Sequence, residues 1–301
     1  MRIAIAGGAG FLGRPLTDAL ARDGHDVVIL TRGQNGSLGG VRSVAWNPNG
    51  ALGPWAAEID GAGAVVNLAG ESIAGKRWTA AQKARILDSR IQATRSLVAA
   101  IRGAAAAPQV FISGSAVGYY GPRGDDAVTE STPAGSDFLA QICVKWEEEA
   151  LRAASDRTRV VCIRTGIVLE KDGGALAQML PPFKFGVGGP LGSGRQYCPW
   201  IHRDDWVALV RWAIATAAAR GAINATAPHP VTSKEFARAL GRAMHRPSFM
   251  PAPAFALRLL LGEMADALLL SGQNAAPDAA TRAGFSFRYA DVDAALNAIF
   301  T

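Results

Sequence analysis

A glycine-rich turn near the start of the chain constrains its fold more than any other feature. The apolar segment Arg2–Ala6 runs into glycines three residues apart, and a helical pattern follows. Such glycines permit a tight turn, let the backbone approach a pyrophosphate, and allow strand and helix to pack closely. This context predicts a dinucleotide site, with a glycine turn that binds nothing as the alternative. The expected contacts are Gly7, Gly10, Phe11, Leu12 and Gly13.

Short apolar runs alternate with helical patterns over the first half of the chain, which is typical of parallel βαβ units. The predicted strands are Arg2–Ala6, Asp26–Thr31, Ala64–Leu68, Gln109–Ser113 and Arg159–Ile163. The predicted helices are Phe11–Asp23, Thr79–Arg102 and Asp137–Ala154. Thr79 and Gln82 are expected to form a capping box at the second helix. We therefore predict an α/β Rossmann fold, a doubly wound parallel sheet with a smaller C-terminal substrate lobe.

The end of the second predicted strand bears on which dinucleotide is bound. Arg32 follows Thr31 where a carboxylate would normally hold the ribose 2′-hydroxyl of NAD. A guanidinium suits a 2′-phosphate through charge-assisted hydrogen bonds, so Thr31 and Arg32 favour NADP(H) as the cofactor. The alternative is that Arg32 is an ordinary solvated loop residue, because most Arg side chains are exposed.

The glycine-rich stretch from Gly186 to Gly194 interrupts the alternating pattern and indicates a second lobe. Irregular connections of this length usually carry function or mark a boundary. We predict an NADP-binding Rossmann domain over residues 1–170, completed by about 204–230, and a C-terminal substrate lobe over 171–203 and 231–301. Because ligands bind beyond the carboxyl ends of parallel strands, this lobe is expected to cover the nicotinamide end of the cofactor.

The net charge bears on the class of binding partner, and the cysteines bear on the redox compartment. The formal net charge is +6, but the basic residues are scattered among acids without a stripe, which disfavours nucleic acid. Cys143, Cys162 and Cys198 are widely spaced in or beside apolar segments. They are expected to be buried thiols in a reducing compartment rather than disulfides. The histidines stand apart as well, so no metal site is predicted.

Two further features bear on location. The chain passes from Met1 straight into the first strand, with no long apolar leader or cleavage site. The apolar stretch from Phe255 to Leu270 is interrupted by charged residues and a glycine, which favours a buried helix or an interface over a membrane span. We therefore expect a cytoplasmic protein without a membrane partner.

Several motifs resemble those of extended or atypical short-chain dehydrogenase/reductases. Besides the glycine turn, they are Asn67–Gly70, Ser113–Ala116, Arg164–Gly166 and Trp200–Asp205. A closer likeness is to the epimerase family, uncharacterised atypical members related to nucleotide-sugar epimerases. The segments that look like this family, including its C-terminal domain, are Ser115–Gly121, Lys145–Glu147, Gly188–Gly194 and Gly284–Phe287.

The resemblance implies further cofactor contacts. The backbone of Leu68, Ala69 and Gly70 is expected to cross the adenosine ribose and the pyrophosphate. Arg90 matches a position that reaches the cofactor from the long helix, although an ordinary surface charge is an equal alternative. Arg164, Gly166 and Val168 lie in the segment that is expected to contact the nicotinamide end of the cofactor. Lys145 matches the lysine that holds the nicotinamide ribose.

The catalytic residues depart from the pattern of the superfamily, which uses a Ser, a Tyr, and a Lys four residues after the Tyr. Ser115 and Lys145 match the first and third positions, but the Tyr position is Gln141, whose amide cannot act as an acid or base. Tyr119 and Tyr120 follow Ser115 closely, so either is a candidate proton donor. Both are equally compatible with packing the loop or lining the pocket.

His202 has two interpretations. It precedes Asp204 and Asp205, so it is a candidate base with an orienting carboxylate. The same segment is typical of a strand that ends where a helix begins, with Asp204 as the N-cap, and this reading is favoured.

These observations support two main hypotheses about function. The first is an NADP(H)-dependent oxidoreductase or epimerase acting on a small or nucleotide-linked polyol or carbonyl substrate. The second is an NADP(H)-binding sensor or accessory protein without turnover, which Gln141 favours. A nucleic-acid-binding module is disfavoured by the placement of charge. A homodimer is possible in either case.

Overall fold

The computed structural model describes residues 1–301 as an eight-stranded, mainly parallel sheet with helices on both faces and a helical C-terminal part. The strands are β1 (Arg2–Ala6), β2 (Asp26–Thr31), β3 (Gly36–Leu38), β4 (Val41–Ala45), β5 (Ala64–Asn67), β6 (Val110–Ala116), β7 (Ala127–Val128), β8 (Arg159–Thr165), β9 (Ile167–Leu169), β10 (Tyr197–Cys198), β11 (Trp200–His202), β12 (Gly221–Ala225), β13 (Val231–Thr232) and β14 (Asn274–Ala275). The helices are α1 (Gly13–Arg22), α2 (Ala80–Gly103), α3 (Phe138–Leu151), α4 (Gly174–Lys184), α5 (Arg203–Ala215), α6 (Ser233–Met244), α7 (Ala254–Leu261), α8 (Glu263–Leu268), α9 (Asp278–Arg282) and α10 (Val292–Phe300). Two 3₁₀ turns lie at Pro54–Glu58 and Val117–Tyr120.

The sheet is doubly wound. Its strand order is β12-β8-β6-β5-β1-β2-β4-β3, and every pair is parallel except the β3–β4 hairpin at one edge. The chain builds outward from β1 in both directions, so the carboxyl ends of the parallel strands meet at one edge of the sheet. The predicted fold class, including the smaller C-terminal part, is confirmed.

Two apolar layers cover the two faces of this sheet. Ile3 and Ile5 of β1 point into a layer built with α1 and α5, whereas Ala4 and Ala6 point into a layer built with α2 and α3. This alternation follows from the period of two along a strand. Because both faces are covered, the central strands are apolar throughout, which is why the sequence predicts them well.

The structure adds strands that the sequence analysis did not predict. β4 lies next to the edge strand β3 and has one buried residue among its five, and β12 carries Gly221 and Asn224 within a short run of mostly small side chains. Neither forms the continuous apolar run by which a buried strand is identified. β4 is held in place by pairing with β2, and β12 by pairing with β8, which lies about 60 residues earlier in the chain.

Two predictions about helix ends need correction. Asp204 is not the N-cap of α5, because the helix begins at Arg203 and the Nδ1 atom of His202 accepts the Asp204 N–H at 3.1 Å. At α2, Thr79 accepts the Gln82 N–H as predicted, but the Gln82 side chain bonds to Glu71 and Arg85 instead of completing a capping box.

The glycine-rich connection and the tail pack together at the carboxyl edge of the sheet. Three backbone hydrogen bonds hold 188–192 against 250–252, and Gln196 donates to the carbonyl of Leu269 at 2.7 Å. β14 of the tail pairs with β7, which follows β6. This placement agrees with the lobe proposed above, while its boundaries remain a prediction. None of the helices is long and apolar enough to cross a bilayer.

Candidate functional site

The glycine turn after β1 leaves no room for a side chain at Gly7 or at Gly13. Gly7 has φ of +80°, and a Cβ atom there would lie 2.8 Å from the carbonyl carbon of Leu68. A Cβ on Gly13 would collide with the carbonyl oxygen of Gly7. The amide of Gly10 donates to that same carbonyl at 3.0 Å and closes the turn. The backbones after β1 and β5 are therefore in direct contact, as a dinucleotide cradle requires.

The first turn of α1 is electropositive. Its free N–H groups carry the positive end of the helix dipole, the turn contains no acidic residue, and Arg14 there is exposed. Arg32 follows β2, is exposed, and makes no salt bridge in the structure. Arg32 lines an open cavity of about 850 Å³ together with Asn35 and Trp46. Both the helix end and the cavity are suited to anionic groups.

Arg90 is buried beside the loop after β5, with only 8% of its surface exposed. Its Nη1 atom donates to the carbonyls of Glu71 and Ile86, at 3.0 and 2.9 Å. Its guanidinium lies 5.1 Å from the ring centroid of Trp146, and burial lowers its pKa. The alternative of an ordinary surface charge is therefore wrong, because Arg90 holds the backbone that follows Gly70.

A buried polar cluster joins the ends of β6 and β8 to α3. The Ser115 hydroxyl donates to Glu147 Oε1 at 2.6 Å, and Arg164 pairs with both Glu147 oxygens, at 2.9 and 2.8 Å. All three side chains are buried. Burial opposes the charge on Arg164, but the hydrogen bonds and negative charge of Glu147 outweigh it and raise the Arg164 pKa. Because a carboxylate only accepts, the hydrogen of Ser115 is committed to Glu147 and its lone pairs are left for a ligand.

The two tyrosines after Ser115 differ in their surroundings. Tyr120 is fully buried; its hydroxyl donates to Asn224 at 2.6 Å and accepts from Arg164 at 2.9 Å, and burial raises its pKa to about 12. Tyr119 is half-buried, and its ring centroid lies 3.4 Å from the Arg164 guanidinium carbon. The Tyr119 hydroxyl makes no hydrogen bond within the chain. Tyr120 is therefore a structural hydroxyl, whereas that of Tyr119 is free to meet a ligand.

Lys145 and Gln141 lie on the exposed side of α3. Lys145 forms no hydrogen bond or salt bridge, and the Gln141 amide donates to the Ser136 carbonyl at 3.0 Å. The structure thus brings Ser115, both tyrosines and Arg164 together but records no contact between Lys145 and this cluster. The cation that faces the tyrosines is Arg164.

The remaining predicted residues have clear places in the structure. Gly166 donates its amide to Ala225, and Val168 is buried in the pair that β9 forms with β11. His202 caps α5, and both Asp205 oxygens accept backbone N–H groups of residues 288 and 289, so this segment is structural. The structure contains no cluster of His, Cys, Asp or Glu suited to a metal ion.

Sequence reasoning missed Glu147 and Asn224. Glu147 belongs to the Lys145–Glu147 motif, but nothing in the motif says that it faces inward. The sequence offered one signal for a buried acid, namely that Glu147 follows Lys145 by two residues and is adjacent to the large apolar Trp146. Asn224 lies in β12, which the sequence did not predict, so no local signal could have found it.

Comparison with known proteins gives consistent matches. Residues 3–225 match the NAD dependent epimerase/dehydratase family, and residues 252–299 match a domain of unknown function (DUF1731). The epimerase family protein SDR39U1 homolog, chloroplastic, of Arabidopsis thaliana is 42% identical over 303 residues, which cover 99% of this chain and 86% of that protein.

Solved structures agree with these matches. The crystal structure of human epimerase family protein SDR39U1 (isoform 2) with NADPH superposes with a TM-score of 0.92 at 34% identity, covering 100% of this chain and 99% of that one. A nucleoside-diphosphate sugar epimerase from Corynebacterium glutamicum superposes with a TM-score of 0.78 at 33% identity, covering 98% of this chain and 57% of that one.

Proposed function

The chain belongs to the NAD dependent epimerase/dehydratase family, and we propose that it is an NADP(H)-dependent oxidoreductase or epimerase-like enzyme. The proposed substrate is a small carbonyl or polyol compound, or a nucleotide-linked sugar. The single observation that carries the proposal is the cluster at the carboxyl ends of β6 and β8, where Ser115 and the free Tyr119 hydroxyl lie around the buried Glu147–Arg164 pair.

The residues present fit NADP(H). The turn from Gly7 to Gly13 admits no Cβ atom at Gly7 or Gly13, which suits a close approach to the pyrophosphate, and the 2′-phosphate is assigned to Arg32. We assign the adenosine to the backbone from Leu68 to Gly70, and the nicotinamide end to the segment from Arg164 to Val168, with Lys145 at its ribose. The NADPH in the human relative's crystal structure supports this choice of cofactor.

Titration of the two reduced cofactors tests this assignment. NADPH is expected to bind at least about tenfold more tightly than NADH, which corresponds to about 1.4 kcal/mol. Arg32→Ala is expected to remove most of that preference because it removes the charge that meets the 2′-phosphate. Arg102→Ala, at an exposed arginine in the last turn of α2, is the matched control. Equal titration curves for the two cofactors in the unaltered protein would refute the assignment.

The chemistry is assigned to Ser115 and Tyr119. The bound cofactor supplies or accepts a hydride. Ser115 positions the substrate by accepting a hydrogen bond from a hydroxyl group beside the reacting carbon, while Tyr119 exchanges a proton with the reacting oxygen. When Tyr119 gives up its proton, the Arg164 guanidinium faces the ring on which negative charge develops. Glu147 fixes both partners by holding the Ser115 hydroxyl and the Arg164 guanidinium.

Turnover measurements test the chemistry. A panel of carbonyl compounds is screened for NADPH oxidation and a panel of nucleotide sugars for conversion to the epimer, and the best substrate is used with the variants. Ser115→Ala and Tyr119→Phe are each expected to lower kcat by about 10²-fold or more, the size of lost acid–base help. NADPH affinity should barely change. Tyr120→Phe is the matched control, and its turnover should stay near that of the unaltered protein; an equal loss there would contradict the role given to Tyr119.

One observation favours the alternative of a sensor or accessory protein without turnover. Gln141 stands at the usual Tyr position, and both it and Lys145 are exposed on α3. Tight NADPH binding, with neither oxidation of NADPH by any carbonyl compound nor epimerisation of any nucleotide sugar in the panels, would decide for this alternative. Lys145→Ala distinguishes the role of the lysine, because a contact with the ribose predicts weaker NADPH binding whether or not turnover occurs.

A further inference from the structure

An unusually exposed apolar surface lies on the C-terminal part of the chain, away from the glycine turn. Seven large apolar side chains there each expose between 47 and 83% of their surface. We call this set the apolar face: Phe185, Val187, Phe249, Met250, Phe255, Leu259 and Leu260.

The apolar face is continuous. Met250 donates its amide to Gly188 at 3.1 Å, and Ala252 donates to Pro190 at 2.9 Å, so the segment 185–187 lies beside 249–250. The same chain continues into α7, which has no buried residue at all. On α7, Phe255 and Leu259 lie one turn apart and share one side of the helix, and Leu260 extends the exposed apolar surface around it.

The area of the apolar face is that of a protein interface. Aromatic side chains bury about 150–250 Å² each, and the exposed fractions indicate an apolar area on the order of 900 Å². The largest apolar patch on a typical monomer is about 300–600 Å². A stable protein–protein interface buries about 800 Å² on each partner.

We propose that the apolar face is the interface of a homodimer. In a two-fold dimer the same patch of each subunit forms the interface. The apolar face alone has the area that each subunit must supply to such an interface. In such a dimer, α7 of one subunit lies against α7 of its partner. None of the predicted cofactor contacts belongs to the apolar face.

The pairing of charge on α7 itself favours a protein partner over an anionic membrane. Arg258 is the single charged residue of α7, and it is paired with Asp266 of α8 through contacts of 2.9 to 3.1 Å. The helix therefore presents apolar side chains without a free cation. A helix that lies on an anionic membrane surface instead carries free Lys and Arg on its polar side.

Sedimentation velocity of the full chain tests the proposal. Samples from about 1 to about 100 μM are compared, and a dimer with Kd below about 10 μM is expected. Leu259→Glu and Phe255→Glu, each studied alone, place a carboxylate in the contact and are expected to shift the protein to monomer, raising Kd by at least about tenfold. Leu151→Glu is the matched control, an exposed leucine near the end of α3, 48% exposed, outside the apolar face.

Each outcome decides the question. A dimer that is lost in both α7 variants and kept in Leu151→Glu supports the proposal, provided that all four proteins show the same cooperative thermal unfolding and the same NADPH titration. A monomer at every concentration overturns it, as does a dimer that survives both α7 substitutions. A monomer that floats with vesicles of anionic phospholipid overturns it in favour of a membrane contact. Dimerisation neither requires nor excludes turnover.

Discussion

The glycine turn and the Ser115–Glu147–Arg164 cluster lie at the same edge of one sheet but are built differently. The turn is one contiguous segment of backbone, from Gly7 to Gly13, and its shape depends on the absence of Cβ atoms. The cluster consists of side chains from separate elements. Ser115 and Glu147 are 32 residues apart in sequence, and Tyr120 and Asn224 are 104 apart.

The two regions are therefore expected to respond differently to substitution. A backbone site is encoded locally and fails only when a side chain intrudes. A site made of buried charges depends on every partner, because removing one leaves another charge desolvated and unpaired. The cluster is therefore expected to be the more fragile region in folding, and the turn the more critical region for cofactor binding. Predictions at Glu147 and Gly13 test this contrast, and a third, at His202, provides a reference from a segment outside both regions.

The largest expected effect is on stability, at Glu147. Glu147→Ala leaves buried Arg164 without its carboxylate and removes the acceptor of Ser115, so a loss of about 3–5 kcal/mol in the free energy of unfolding is expected. Urea unfolding measures it. Glu148→Ala, at the adjacent exposed acid of the same helix, is the control and should change stability by less than about 0.5 kcal/mol. Similar unfolding curves for Glu147→Ala and Glu148→Ala would mean that the Glu147–Arg164 pair contributes little to the free energy of unfolding.

An intermediate effect is expected at Gly13. Gly13→Ala forces a Cβ atom against the Gly7 carbonyl, which should cost about 1–3 kcal/mol of stability. The distorted turn should also weaken NADPH binding by at least about tenfold. Gly103→Ala, at the end of α2 with nothing near its Cβ position, should bind NADPH normally. Normal NADPH titration by a folded Gly13→Ala protein would remove the contrast between the two regions.

The smallest expected effect is a pH dependence at His202. This side chain is buried against Tyr289, at 4.1 Å between ring centroids, and burial lowers its pKa below the ordinary 6.5 despite nearby Asp204 and Asp205. The unfolded chain then takes up the proton more readily than the folded one, so stability is complete above about pH 6.5 and decreases as the pH falls below it.

His202→Asn isolates this contribution, since Asn keeps an N-cap acceptor but does not titrate. Thermal unfolding at a series of pH values should show a weaker decrease between neutral and mildly acidic pH than in the unaltered protein. His245→Asn is the control, because His245 is exposed and has φ of 52°, a conformation that Asn also adopts. An equal change in both variants would show that His202 is not the responsible group.

The sequence predicted the fold where local patterns are strong. β1 and β2 were predicted with the bounds that the structure has, and β5 and β8 within two residues, because strands covered on both faces are continuous apolar runs. β4, of which one residue is buried, and the weakly apolar β12 were missed, since pairing and not local composition makes them strands. The N-cap of α5 was placed at Asp204 instead of His202, because the sequence alone does not show where the backbone leaves β11.

For the site, the sequence by itself determined the glycine turn, the Arg after β2, and the Ser at the end of β6, because each lies in a short motif next to an apolar strand. Only the tertiary structure decided which charges meet the tyrosines. Side chains two residues apart on an α-helix point about 200° away from each other, so when Glu147 turns inward to Arg164, Lys145 is turned to solvent. Which side of α3 faces the sheet is decided by packing across the whole domain.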